Sequence, residues 1–301
     1  MYVRKHIGIA QLFSRGWRVE LGLALVVVAT IVVHIEILDA YFQISLAVAA
    51  LGTAISFFIG FFTSHAYDRW WEARKIWGEL VNDSRSFGRM LATLLPGPEV
   101  APELVPLRET LVRRHIAYLY AVKSRLRGED LAEALTRLPE ADLPEVDGAG
   151  HLPNRLLDLQ GRDLDGAERG GHIDVIRLAQ FNEMLSRFSS SMGAAERIKL
   201  TVFPPYYSSM IRLSIWAYVV VFAFALSEAM GYAAIPFVFV AGTVFHLVYE
   251  AGRLLVDPFE NHPNDVPMSN IVRTIEIGLL EQIGEKELPP PVEPVDGTYL
   301  M

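Results

Sequence analysis

Residues 42–64 carry no charged side chain. About 20 consecutive apolar residues are enough to cross the hydrocarbon core of a bilayer. This segment is therefore read as a membrane span. Two patterns with a spacing of four run through it. Gly52, Ser56, Gly60 and Ser64 form a stripe of small residues, and Thr53, Phe57 and Phe61 form a second stripe about 100° further round a helix. Small residues at every fourth position let membrane helices approach closely, so Gly52, Ser56 and Gly60 are expected to pack helix against helix. The second stripe then borders whatever lies between the packed helices. After Ser64 the character changes, with Asp68, Arg69, Trp70, Trp71, Glu72, Arg74 and Lys75 in quick succession. Tryptophan beside basic residues suits a membrane–water interface, so one helix is expected to leave the bilayer here and continue into water.

The rest of the chain reads as a hybrid. Of 301 residues 51% are hydrophobic and 21% charged, and the mean hydropathy is +0.27. That is several spans plus a water-exposed part large enough for its own core. There is no cysteine, which excludes disulfides, thiolate nucleophiles and cysteine metal sites. A net charge of −8 argues against nucleic acid as a partner. It does not forbid an anion path, because the local field along a path outweighs the sum.

In chain order, residues 1–20 read as an amphipathic lead-in at the membrane surface, without a convincing signal-peptide cleavage site. Residues 21–38 make a first span, with His34 and Glu36 at its far interface rather than acting as ligands. Asp39–Tyr41 is a tight connection to the second span, 42–64, giving an antiparallel hairpin. Amphipathic helices follow at 69–95 and 101–127, and Arg113, Arg114, Lys123, Arg125 and Arg127 read as a solvated face. Residues 129–170 read as a surface loop with two short amphipathic pieces, near 131–138 and 153–160. A helix at 172–200 ends before Pro204-Pro205, spans at 213–227 and 232–249 form a second hairpin, and a last helix covers 268–283. The expected division is 1–68 with the first hairpin, a helical region 69–203, the second hairpin 204–252, and a tail 253–301. Arg15, Arg18, Arg69, Arg74, Lys75, Lys199, Arg212 and Arg253 flank one side of the spans, which places both termini in the cytoplasm by the positive-inside rule.

Enzyme signatures are missing: there is no P-loop, no dinucleotide-binding glycine motif, no HExxH and no GxSxG. The one cluster of hard oxygen ligands is Asp257, Glu260, Asn261, His262, Asn264 and Asp265. Such residues suit a cation such as Ca²⁺, but Pro, Asn and Asp are also what a turn and a helix cap require, and the structural reading is favoured. For Phe57, Phe58, Phe61 and Phe62 the plain alternative to a pore is lipid or core packing.

The run IGFF…YDRWWEARKIWGELVNDSR, with PNDVP…RTIEIGLLEQIGE near the end, resembles the bestrophin family, in particular its prokaryotic branch, over roughly residues 10–285. The resemblance implies an all-α membrane protein with four transmembrane helices and a helical cytosolic region, assembled as a pentamer around a central pore. It implies a channel for monovalent ions in a bacterial inner membrane. Chloride is the family default, and cation selectivity stays open because the cytosolic part is acidic. By position from the GFF and RWW landmarks, the narrow hydrophobic neck would be Thr53, Phe57 and Phe61, where Thr53 departs from the usual aliphatic residue. A second constriction, the cytosolic aperture, falls on Ile176 counting back from Gly193 and Pro204, or on Val175 from Asn182-Glu183-Met184; Ile176 is preferred. Eukaryotic members carry a dense acidic run that forms a calcium clasp. Here it is diluted to ENHPND, so no required metal and no cofactor are expected. Partners are further copies of the chain, membrane lipid and the conducted ions. A non-conducting membrane scaffold and an organic-anion carrier remain as alternatives.

Overall fold

The computed structural model describes residues 17–38, 45–295 and 297–301. Expectations for residues 1–16 and for the connection Asp39–Tyr41 lie outside these. The described residues are helical apart from turns, an extended tail and one isolated bridge between Val295 and Tyr299. They form two compact units. One holds the residues up to Arg69 together with Val202–Val256; the other holds Trp70–Thr201 with Asp257–Met301.

In the first unit, α1 (Trp17–Val33) continues as a π-helical turn, His34–Leu38. The helix α2 (Ser45–Thr93) runs without a break from the apolar segment through the tryptophans and beyond, so the change from apolar to charged sequence happens inside one helix. Two further helices, α6 (Pro205–Met230) and α7 (Ala234–Arg253), are joined by the short 3₁₀ turn Gly231–Ala233. Pro205 starts α6 where a missing backbone N–H costs nothing. Three stretches are long and apolar enough to cross a membrane: Trp17–Leu38, Ala47–Thr93 and Pro205–Arg253, the last comprising α6 and α7.

Each of these helices, α2 over its apolar part only, is apolar on nearly every side. Leu23, Val27 and Ile31 of α1 pack on Val219 and Ala223 of α6 and on Ala234 and Val238 of α7. Ile55, Ile59 and Phe62 of α2 pack on Ile211, Ile215 and Tyr218 of α6 and on Tyr249 of α7. Their outward faces still present Leu21, Leu25, Leu213, Phe237, Val240 and Val244. A helix that is hydrophobic all round with half its surface unpacked is built for lipid. At Gly242 the helices nearly touch, and a Cβ there would lie 2.9 Å from both Leu23 Cδ2 and Val219 Cγ2.

The second unit is built around α3 (Val105–Arg127), which Gly128 ends in the left-handed conformation, φ 69°. From Leu111 to Leu126 almost every α3 side chain is buried. Around it lie part of α2, α4 (Leu152–Arg169), α5 (Val175–Leu200) and α8 (Met268–Gln282). Two expectations are corrected here. Three of the five basic residues of α3 do not belong to a solvated face, whereas Arg125 is exposed beside Glu196 and Arg113 is partly exposed beside Glu109, as expected. Arg114 is 3% exposed, bonded to both oxygens of Asp142 at 2.7 and 2.8 Å and to Asp163 at 2.7 Å. Lys123 is buried against Glu133, and Arg127 bonds Ser269 at 2.8 Å. Burial opposes the Arg114 charge, and the two carboxylates more than offset that and raise its pKa. Nor is 129–170 mostly loop. It holds short turns of helix at Ala132–Leu135, Glu140–Asp142 and Leu143–Val146, then the whole of α4. Leu152, Leu156, Leu159 and Leu164 give α4 an apolar face that closes the core.

Candidate functional site

On α2 the periodic pattern resolves into opposite faces. Ile55, Ile59, Phe62 and Ala66 are fully buried, while Thr53, Ser56, Phe57, Gly60, Phe61 and Ser64 are exposed. The four phenylalanines therefore take different roles. Phe62 lies in the core, edge-on to Phe203 and stacked on Tyr249. Phe58 lines a groove with Ile55, Tyr207, Met210, Ile211 and Ser214. Phe57 and Phe61 project away from the core, 67% and 52% exposed, with ring centroids 6.0 Å apart and planes 26° from parallel. Phe61 in turn meets His65 edge-on at 4.4 Å. Thr53 and Ser56 turn their hydroxyls back to the carbonyls of Ala49 (2.9 Å) and Gly52 (2.8 Å). Each thus satisfies its own donor and leaves a surface with few polar contacts to offer.

The small-residue stripe divides as well. A Cβ on Gly52 would lie 3.0 Å from the Tyr218 ring, so this glycine serves the α2–α6 contact within the chain. A Cβ on Gly60 would meet nothing within 4 Å among the described residues beyond its own helix backbone.

Ile176 and Val175 sit in the first turn of α5, 73% and 66% exposed. Asp174 caps the helix by accepting from the Arg177 N–H at 2.8 Å, and Arg177 reaches the Leu94 carbonyl at 3.1 Å. Two neighbouring aliphatic side chains at an exposed, capped helix end have no core to enter. The geometry does not separate Ile176 from Val175.

In the acidic turn at 257–265 the protein's own donors meet Asp257 and one oxygen of Asp265, while Asp265 Oδ1 and Asn261 Oδ1 lie buried without a partner among the described residues. Asp257 accepts from Lys199 Nζ (2.6 Å) and the Phe259 N–H (3.0 Å). Asp265 accepts from the His262 N–H (2.9 Å), and Trp70 Nε1 donates to the Asn264 carbonyl (2.8 Å). Asn261 adopts φ 67°, a left-handed conformation that asparagine tolerates. Burial raises the pKa of Asp265, only partly countered by that N–H bond. Among the described residues no group of three or more His, Asp or Glu is placed to hold a metal ion.

Sequence reasoning missed a buried polar contact between the membrane helices. Glu20, assigned above to a surface lead-in, is buried within the helical part of α1. It accepts from Thr243 Oγ1 at 2.7 Å and pairs with His246 Nδ1 at 2.8 Å, both on α7. The available signal was a histidine in the middle of an otherwise apolar span, which in lipid demands a partner. His34, expected at the interface, is likewise buried and bonded to Ser227 Oγ at 2.7 Å.

Comparison with known proteins identifies the family. The sequence model described as Bacterial/Fungal Bestrophin protein matches residues 17–281. The chain belongs to the bestrophin family. Among curated bestrophin relatives, the voltage-dependent anion channel-forming protein YneE of Escherichia coli is 32% identical over 246 residues, covering 81% of this chain and 78% of its own. The voltage-dependent anion channel-forming protein mll4386 of Mesorhizobium japonicum is 26% identical over 249 residues, covering 83% and 78%. A crystal structure of a bacterial bestrophin homolog from Klebsiella pneumoniae superposes with a TM-score of 0.80 at 25% identity, covering 89% of this chain and 98% of that one.

Proposed function

We propose that this bestrophin is an integral membrane anion channel, built by several copies of the chain around a common axis. The observation that carries this reading is the stacked, outward-facing Phe57–Phe61 pair, opposite the face of α2 that packs into its own chain. Anion transport comes from the relatives named above. A single chain with four spans (α1, the apolar part of α2, α6 and α7) is too small to enclose a path, so the exposed aromatic face needs further copies to close it. Five copies, the bacterial inner membrane and cytoplasmic termini follow from the family resemblance and the distribution of basic residues. In this reading Thr53, Phe57 and Phe61 form a hydrophobic neck that gates by dewetting. Ile176 forms the aperture at the cytosolic end. Phenylalanine ring edges carry partial positive charge, and edges turned to the axis tolerate a passing chloride. The Trp70–Thr201 unit with Asp257–Met301 is the cytosolic part, and the remainder is the membrane part. No metal or cofactor is assigned a role.

The test is the reversal potential of purified protein in a planar bilayer under a tenfold KCl gradient. It should lie near the chloride equilibrium potential, and Phe57→Ala with Phe61→Ala should raise conductance or abolish gating. Silence from protein shown to be inserted and assembled overturns the reading in favour of a scaffold. Flux that saturates with an organic anion overturns it in favour of a carrier.

A further inference from the structure

The face of α5 that carries Ile176 continues into a charged groove. Residues seven and eleven positions further on return to within about 20° of the same direction on a helix. These are Glu183 and Arg187, and both are exposed. The groove runs between α5 and α2 and is lined by Arg89, Thr93, Gln180, Glu183 and Arg187, among others. Across it, Arg187 clasps Asp83 of α2: Nε donates to Oδ2 at 3.1 Å and Nη2 to Oδ1. The two partners differ sharply in exposure. The Asp83 side chain is 6% exposed and the Arg187 side chain 56%, so the guanidinium lies over the buried carboxylate like a lid and faces the groove. Besides Asp83, the charges of Glu183 and Glu79 also act on Arg187 and add to the rise in its pKa. Lys75, one turn before Glu79, is already paired with Glu72 at 2.6 Å. Arg89 is the second guanidinium of the groove. Of the charged residues lining the groove, Glu183 is the carboxylate and Arg89 and Arg187 the guanidiniums; Asp83 beneath Arg187 and Glu79 on α2 add two carboxylates that act on the same guanidinium.

We propose that Arg187 determines the anion preference of the path by neutralising this carboxylate wall at the α2–α5 groove. The proposal rests on reading the Ile176 face of α5 as lining the path. With Arg187 in place the wall is nearly balanced and chloride meets little repulsion. Without it, each copy presents three carboxylates against the single charge of Arg89, and cations accumulate. The net charge of −8 on the whole chain is thereby kept from deciding selectivity.

The experiment compares reversal potentials under a tenfold KCl gradient for the wild-type channel, Arg187→Lys, Arg187→Gln and the double variant Arg187→Gln with Asp83→Asn. Arg187→Lys retains the charge and should reverse where the wild type does. Arg187→Gln should lower the chloride-to-potassium permeability ratio several-fold, and adding Asp83→Asn should restore much of it. Wild-type selectivity in Arg187→Gln overturns the proposal while leaving the channel reading intact. A shift in Arg187→Lys as large as in Arg187→Gln overturns it too, because geometry rather than charge would then be at work. A wild-type protein that is inserted but silent fails the channel reading itself. Should Arg187→Gln not assemble, Glu183→Gln leaves the clasp whole and carries the test: the anion preference must rise, and an unchanged ratio refutes the proposal.

Discussion

At the level of single residues, the second unit is organised by charges that the sequence pattern hides. Arg114 is held by Asp142 and Asp163, which lie 28 and 49 positions away, beyond the reach of any local period. Charges spaced along α3 look like a wet face until their partners are folded against them. Removing one side of such a buried pair strands the other, so Arg114→Ala should destabilise by about 3–5 kcal/mol, read as a lower thermal unfolding midpoint of the solubilised protein. Asp163→Asn, acting on the more exposed partner, should cost less. His115 gives a pH signature. Complete burial beside Phe87 and Phe188 lowers its pKa from 6.5 to about 3, while Ser84 Oγ lies 2.9 Å from its Nε2. The folded protein therefore keeps it neutral while the unfolded chain takes up a proton below pH 6.5. Stability is complete above that value and is lost as pH falls toward 3, by up to ~1.4 kcal/mol per pH unit. The melting temperature of wild type should accordingly fall more steeply between pH 7 and 5 than that of His115→Gln. Equal slopes would show that the imidazole does not carry the effect.

Among the elements, long apolar runs and proline breaks were the most legible. Residues 45–64 of the apolar segment, the continuation through Trp70 and Trp71, and the break at Pro204-Pro205 appear as α2 and the start of α6. The α4 helix was not legible as a long helix, because Gly, Asp and Arg between its leucines dilute the apolar signal that its packing on α3 and α5 supplies. The Glu20 contact was obscured for a different reason: a glutamate just ahead of an apolar run reads as its polar flank. Two changes at the contacts among α1, α6 and α7 follow. Gly242→Ala places a methyl against Leu23 and Val219 and should cost about 1–3 kcal/mol. Glu20→Leu removes the acceptor of both Thr243 and His246. At an average of about 0.6 kcal/mol for a hydrogen bond between membrane helices, it should destabilise measurably but less than the glycine change. Ranking the two by thermal stability in detergent checks whether close packing or polar contact dominates here.

For the molecule as a whole, a path formed by several copies leaves only an indirect trace in one chain: side chains that a single copy has no use for. Phe57, Phe61, Val175 and Ile176 are exposed apolar side chains of that kind, and their residue types were readable while an assembly able to cover them was not. Gly60 separates the two levels. Among the described residues a Cβ built on it would meet nothing within 4 Å, so Gly60→Leu should leave the fold of a solubilised monomer untouched and weaken the oligomer, as native mass spectrometry would record; an unchanged oligomer would place Gly60 outside the subunit contact. The openness of the Arg187–Asp83 clasp has a further consequence. A guanidinium more than half in contact with solvent acts through a field that mobile ions screen, over about 10 Å in 0.1 M salt and only about 3 Å in 1 M. Exclusion by a dry aromatic ring has no such length. Discrimination between anions and cations should therefore fade in concentrated electrolyte while the cutoff in ion size stays where it was.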